Sequence, residues 1–274
     1  MTRKKILVPL DFSECSLNAL HAAIRIAKKL DNDLLLLHTY HVPASFNDVT
    51  IPDLYEFARS KAEEQFEEVE NSVSELNSVS YEILMDYALA PDFIKLTSTR
   101  YEVSLIIMGT MGATGLNEIF IGSNTYEVVK VSKCPVLAIP KNARTNDISN
   151  IALAVDYHEV PGREVFESLI ELARIYDSEI HILNVSKSTV IADGEADEAR
   201  KFERYFKQVD HNYNYELDED VEEGINAYLT NHDIDILVLI RRHHNLIDRL
   251  FKKNITKKMV YHTDIPLLVL PEIK

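Results

Sequence analysis

A chain of 274 residues, 46% apolar and 27% charged, has the material for two cores of ordinary domain size and is not the composition of a disordered protein. Its formal net charge of −15 counts against a nucleic-acid backbone or an anionic membrane surface as partner. No apolar run approaches the roughly 20 residues that cross a bilayer.

Met1-Thr-Arg-Lys-Lys leads straight into Ile6-Leu-Val-Pro-Leu10. That apolar stretch is too short for a secretory signal, and no small-residue cleavage site follows it. Cys15 and Cys134 are the only cysteines and lack metal-ligand spacing, so a reduced, cytoplasmic protein is expected. From here short apolar runs alternate with longer helical patterns. Strands are expected near 4–10, 33–39, 79–86, 104–108 and 135–139, and helices near 13–30, 52–76, 90–101 and 122–132. Runs such as Leu105-Ile-Ile-Met108 are apolar without alternation, as parallel strands covered on both faces are.

The pattern then repeats. Ile151-Ala-Leu-Ala-Val-Asp156 matches Ile6-Leu-Val-Pro-Leu-Asp11; a helix at 165–176 matches 19–30, and Glu179-Ile-His-Ile-Leu183 matches Leu34-Leu-Leu-Leu-His38. Ile236-Leu-Val-Leu239 mirrors Leu105-Ile-Ile-Met108, and Ile265-Pro-Leu-Leu-Val-Leu-Pro271 mirrors Cys134-Pro-Val-Leu-Ala-Ile-Pro140. Two domains, 1–140 and 150–274, are therefore expected around a polar linker at 141–149. Each is a doubly wound α/β unit whose ligands bind at the carboxyl ends of the strands.

Four of the seven glycines fall between 109 and 122, in Gly109-Thr-Met-Gly112-Ala-Thr-Gly115-Leu-Asn-Glu-Ile-Phe-Ile-Gly122-Ser123. This stretch leaves a buried strand and enters a helix, where free N–H groups and the helix dipole favour an anion. It is neither a Walker loop, since no Gly-Lys-Ser/Thr follows, nor a Rossmann Gly-x-Gly-x-x-Gly.

Read as Gly109-x2-Gly112-x9-Gly122-Ser123, the loop resembles the nucleotide signature of the universal stress protein family. The Pro9-Leu-Asp11-Phe-Ser opening and the Cys134-Pro-Val-Leu strand also fall where that family has them, and the resemblance extends over both copies. It implies two tandem, doubly wound, five-stranded parallel sheets of strand order 3-2-1-4-5, with helices on both faces and a pseudo-twofold between them. It also implies ATP or AMP as ligand, with Mg²⁺ as an accompanying ion. Asp11 would face the ribose or a phosphate-bound metal; Pro9 and Thr39 would flank the adenine. Met108 and Gly109 would line the ribose and first phosphate, while Gly112, Gly122, Ser123 and Asn124 would cradle the other phosphates. Thr39 and Met108 could equally be strand-end packing, and Asp11 a helix-entry residue ahead of an N-capping Ser13.

The second copy places Ile240, His243 and Lys253 where the three signature glycines stand, with Asn254 for Ser123, so it is not expected to bind nucleotide in this way. Arg241, Arg242, Arg249, Lys252, Lys253, Lys257 and Lys258 gather there with only Asp248 opposing them. They read as a solvated face, as a different anion site, or as a patch for an acidic surface. Adjacent His243 and His244 point to different sides, which argues against a metal pair. On the 194–210 helix, Arg200, Lys201, Arg204 and Lys207 are expected to pair with Glu195, Glu198 and Glu203.

The functional expectation is an ATP-binding stress-response protein of regulatory or sensor type, with no catalytic residue assigned. Its alternatives are a weak ATPase or ATP-dependent enzyme, and a scaffold with another anionic ligand. Nothing in the loop serves as general base, and nothing activates Cys15 as a nucleophile. The strands 136–139 and 267–270 would be bare sheet edges unless paired with each other across the pseudo-twofold. A protein partner is unidentified, neither nucleic acid nor membrane is expected, and a further homodimer stays open.

Overall fold

The computed structural model describes residues 3–40, 51–110, 122–157, 160–187, 195–241 and 264–272. In chain order the first repeat runs β1 (Lys5–Pro9), α1 (Glu14–Leu30), β2 (Asp33–Thr39), α2 (Ile51–Ser72), β3 (Tyr81–Asp86), α3 (Ala90–Arg100), β4 (Val103–Gly109), α4 (Ser123–Val131) and β5 (Val136–Ile139). The second runs β6 (Asn150–Val155), α5 (Glu167–Tyr176), β7 (Glu179–Ser186), α6 (Glu195–Tyr205), β8 (His211–Leu217), α7 (Val221–Asn231), β9 (Ile236–Arg241) and β10 (Leu267–Pro271). Within each repeat every strand pairing is parallel. The whole forms one ten-stranded sheet in the order β3-β2-β1-β4-β5-β10-β9-β6-β7-β8.

An antiparallel pairing, the one among the described residues, joins the repeats, β5 to β10. Leu268 lies opposite Leu137, Leu267 opposite Ala138 and Val269 opposite Val136. Leu137 and Leu268 are the same position in the two copies, so the pseudo-twofold passes between them. Both prospective edges are thereby consumed, leaving only β3 and β8 at the rims.

Side chains of the apolar strands alternate between two covered faces. Ile6, Val8, Leu34, Leu36, Leu105 and Ile107 enter a core that continues through Leu137, Leu268, Ile151 and Leu153, under α1 and α5. On the other face there are two cores, one with Leu7, Leu35, Ile106, Met108, the α4 residues Val128 and Val129 and, from the second repeat, Val269, the other with Ala152, Leu183, Leu239 and the α7 residues Ile225 and Tyr228. The linker is caught by Asn18 of α1, whose amide donates to the carbonyls of Pro140, Lys141 and Ala143 at 2.8–3.1 Å.

Three element ends differ from expectation, one being the helix expected over 194–210, which ends at Tyr205. The helix expected to reach residue 76 stops at Ser72, and a 3-10 turn, Ser74–Ser78, follows. Its tighter winding brings Leu76 into the core, where it is 1% exposed. In the second repeat a 3-10 turn, Arg163–Phe166, precedes α5, so regular winding starts about two turns later than in α1.

Candidate functional site

The carboxyl ends of β1 and β4 lie side by side, with α1 leaving on one face of the sheet and α4 on the other. This is the switch point at which open α/β sheets form a crevice. The end of β1 is held firmly: Leu10 N–H donates to Leu37 O at 2.8 Å, and the His38 ring Nδ1–H donates to Leu10 O at 2.7 Å. Asp11 follows, exposed. Its Oδ1 accepts from Ser13 N–H at 3.1 Å and from the Ser13 hydroxyl at 2.6 Å. That hydroxyl in turn accepts from Ser16 N–H at 3.2 Å, making Ser13 the N-cap of α1. Asp11 thus does serve helix entry, and one of its oxygens is fixed by it.

Between them Phe12 takes the left-handed backbone region, φ 62°. Such a residue persists only where its surroundings determine it. Here its ring packs 4.6 Å from His38 and 5.1 Å from Phe66 of α2. Neither this cluster nor the His38 bond was anticipated from sequence, although a histidine ending an all-leucine strand is an available signal. The second repeat has an equivalent: Asn184 Nδ2 donates to Val155 O at 3.1 Å, just before the exposed Asp156. Beyond Thr39, which ends β2 half-buried, Tyr87 stands 6.4 Å from Tyr40 and 4.7 Å edge-on from Tyr55.

On the β4 side, Met108 is 5% exposed and packs within the core of its face. Gly109 has a steric role: a β-carbon there would lie 3.0 Å from Cys15 C, Cys15 Sγ and Ser16 N. Its missing side chain lets β4 approach the first turn of α1. Cys15, 4% exposed, donates its thiol to Ile139 O at 3.2 Å, an inward-facing arrangement unlike that of a nucleophile.

The end of β4 and the start of α4 are bonded directly to each other. Gly122 N–H donates to Thr110 O, and the Thr125 hydroxyl donates to Gly109 O at 2.8 Å. The start of α4 is therefore pinned against the end of β4. Gly122 is its N-cap, with φ −57° and ψ 154°, and no side chain caps the turn. Ser123 and Asn124, both exposed, open the helix at the switch point, where the first N–H groups of a helix have no intrahelical partner. Pro9, Asp11, Thr39, Met108, Gly109, Gly122, Ser123 and Asn124 thus all lie along this carboxyl edge; Gly112 and Gly115 lie outside the described residues.

In the second repeat the register matches: Gly109 lies against Ile139, and Ile240 against Leu270. Ile240 is half-buried and packs toward the shared core. Opposite it the helical start has retracted to Arg163, so both sides of the close contact changed together. Arg241 turns away into the first repeat, donating to Val129 O and Ser132 O, both at 2.6 Å. Burial pulls its pKa below the ordinary guanidinium range. It is therefore committed to another helix and not to a second anion site. The rest of the basic stretch, with His243, His244, Lys253 and Asn254, lies outside the described residues.

Of Arg200, Lys201, Arg204 and Lys207, two are paired, one of them with another acid than expected: Arg200 with Asp197 at 2.7 Å and Lys201 with Glu198 at 2.6 Å. Glu203 instead meets His211 at 3.2 Å, because β8 runs alongside; the Glu195 side chain lies outside what is described. Among the described residues no helix is long and apolar enough to cross a membrane, and no group of three His, Cys, Asp or Glu could hold a metal.

A sequence model of the universal stress protein family matches residues 2–140 and again 148–271. The chain is 30% identical over 144 residues to universal stress protein MJ0531 of Methanocaldococcus jannaschii, covering 50% of this chain and 82% of that one. It is 28% identical over 151 residues to universal stress protein YxiE of Bacillus subtilis, covering 49% and 97% respectively. Among solved structures, a universal stress protein from Archaeoglobus fulgidus has the same fold end to end: TM-score 0.72 at 19% identity, over 99% of this chain and 97% of that one. Matched twice by one family model, in two copies of one fold, this chain belongs to the universal stress protein family as a tandem of two of its domains.

Proposed function

We propose that the first repeat binds an adenine nucleotide, ATP or AMP, and that the chain acts as a nucleotide-dependent regulator or sensor. The observation that carries this reading is the bonding of the start of α4 to the end of β4. Gly122 N–H on Thr110 O and the Thr125 hydroxyl on Gly109 O hold the uncapped first turn of α4 at the switch point. A helix start presented in this way is an anion site. Gly112, Gly122, Ser123 and Asn124 hold the phosphates through N–H groups and the serine hydroxyl. Pro9 and the backbone at Thr39 flank the base, and Gly109 with the backbone of the buried Met108 supports the ribose and first phosphate. Asp11 faces the ribose, or a Mg²⁺ carried in by the phosphates; one carboxylate suits an ion that takes most of its ligands from phosphate and water.

The reading favours binding over catalysis. The Cys15 thiol is buried and bonded to a carbonyl, and the glycine loop holds no histidine or lysine to act as general base. The domains are taken as 1–140 and 150–274, and the second as a partner lobe without this site. A net charge of −15 disfavours nucleic acid and anionic membrane as partners, and two cysteines without metal-ligand spacing suit a reduced, cytoplasmic setting.

The test is to denature the purified chain and analyse what it releases, then titrate the emptied protein with ATP and AMP. Co-purified or saturable nucleotide supports the reading; an empty site under saturating ATP defeats it. Gly122→Val is expected to abolish binding and to leave the fold intact, because φ −57° and ψ 154° are open to valine. Retained affinity in that variant would refute the loop assignment. Phosphate release abolished by Asp11→Ala would move the protein to the enzyme class.

A further inference from the structure

We infer that Arg241 of the second repeat is a positioning residue for the nucleotide site of the first, acting through α4. The inference rests on the nucleotide reading above and adds a dependence between the repeats.

Arg241 ends β9, at the position that Thr110 occupies in the first repeat. Thr110 serves its own repeat, accepting from Gly122 N–H and approaching the Cys15 thiol at 3.7 Å. Arg241 crosses to the other repeat. Its Nη1 donates to Val129 O and its Nη2 to Ser132 O. Val129 O belongs to the last turn of α4, whose carbonyls lack intrahelical donors, and Ser132 is the helix's C-cap. The guanidinium thus satisfies two carbonyls with two prongs of its fork and places a permanent cation at the negative pole of the helix dipole. The segment beyond is rigid as well: the Ser132 hydroxyl donates to Cys134 O at 2.8 Å, and Cys134 N–H donates to that hydroxyl at 3.1 Å.

α4 is nine residues long, about 13 Å. Its two ends are held by different repeats: Thr125 and Gly122 anchor the front to β4, and Arg241 anchors the back. A short helix does not absorb displacement along its length, so freeing its back shifts the N–H groups of Ser123 and Asn124.

The test uses the full chain as wild type, Arg241→Gln and Arg241→Lys, with Leu268→Ala as a variant that weakens the repeat junction without touching α4. ATP affinity is measured by calorimetry, and hydrogen exchange is followed at the amides of residues 123–132. Arg241→Gln is expected to lose about tenfold in affinity, within the range of ordinary coupling between sites. It should also speed exchange at 123–126, the end remote from the substitution. Arg241→Lys, with the charge but not the fork, should recover affinity only in part, and Leu268→Ala should bind ATP as wild type does. Unchanged affinity in a folded Arg241→Gln, or equal losses in Arg241→Gln and Leu268→Ala, overturns the inference. A wild-type chain that binds no ATP is a failure of the nucleotide reading itself. In that case unchanged exchange at 123–126 would show separately that Arg241 does not position the helix.

Discussion

Two glycines of one signature have different physics. Gly109 is needed because Cys15 and Ser16 stand where its side chain would be, whereas Gly122 has ordinary backbone angles and an open requirement. Gly109→Val is therefore expected to destabilise the fold by about 2–3 kcal/mol, since the obstructing atoms include backbone that cannot turn aside. Gly122→Val should leave stability close to wild type. Urea denaturation of the two variants distinguishes them, and similar losses in both would contradict the assignment. The spacing of the glycines was legible in the sequence, but this division of labour was not, because the neighbour of Gly109 comes from a helix almost a hundred residues earlier. Asp11 shows the same limit. Its type and place at a strand end were readable, while its bond to Ser13 emerges only once the N-cap is seen to need a partner of its own.

At the scale of elements, strands and helices were readable nearly throughout, because parallel strands covered on both faces leave solid apolar runs that polar turns interrupt. What periodicity could not supply is how one element is fastened to another. α7 is docked by a small polar network: the Tyr228 hydroxyl lies 2.7 Å from His181 Nδ1 of β7, while His181 Nε2 lies 3.3 Å from Asn150 Oδ1 of β6. The ring of Tyr228 stacks on His232 at 3.9 Å. Burial, ahead of the opposing pull of Glu179, lowers the His181 pKa below 6.5. Burial, reinforced by Glu216 and Glu179, raises that of Tyr228 from 10.0 to about 12. The network is thus bounded on both sides. The unfolded histidine takes its proton near 6.5 and the folded one only at lower pH, so that contribution is full above 6.5 and is lost as pH falls through the folded value. The unfolded tyrosine loses its proton from pH 10 while the folded one keeps it to about 12, so that contribution is full below 10 and is lost between the two. Tyr228→Phe should shallow the decline of the urea midpoint between pH 10 and 12 without removing it. Tyr213, raised to about 12 by burial and by Glu203, continues to titrate there. An unchanged alkaline profile would remove Tyr228 from the account.

For the whole molecule, the pairing of β5 with β10 and the core beneath α1 and α5 make the two repeats one sheet and, on one face, one interior. Leu268, 1% exposed on the pseudo-axis, should cost about 2–5 kcal/mol when cut to alanine. Because that core belongs to both copies, the loss should appear in both at once. A single shifted unfolding transition, followed by hydrogen exchange in β1 and in β6, is the expected result; loss of protection in the second repeat alone would mean that the copies are energetically separate. The duplication and the edge pairing were legible from the matched strands, whereas the diversion of Arg241 across the junction was hidden by its place in a basic run. The junction also has a consequence in time. β5 is complete at Ile139, but its partner begins only at Leu267. At synthesis rates of about 5–20 residues per second, a ribosome takes roughly 6–25 s to deliver it. Throughout that interval an emerging first repeat presents an apolar edge that matches its own copy on a neighbouring nascent chain, Leu137 against Leu137. The tandem arrangement therefore concentrates its hazard in translation, where closely spaced ribosomes on one message would favour joining two unfinished chains over completing either.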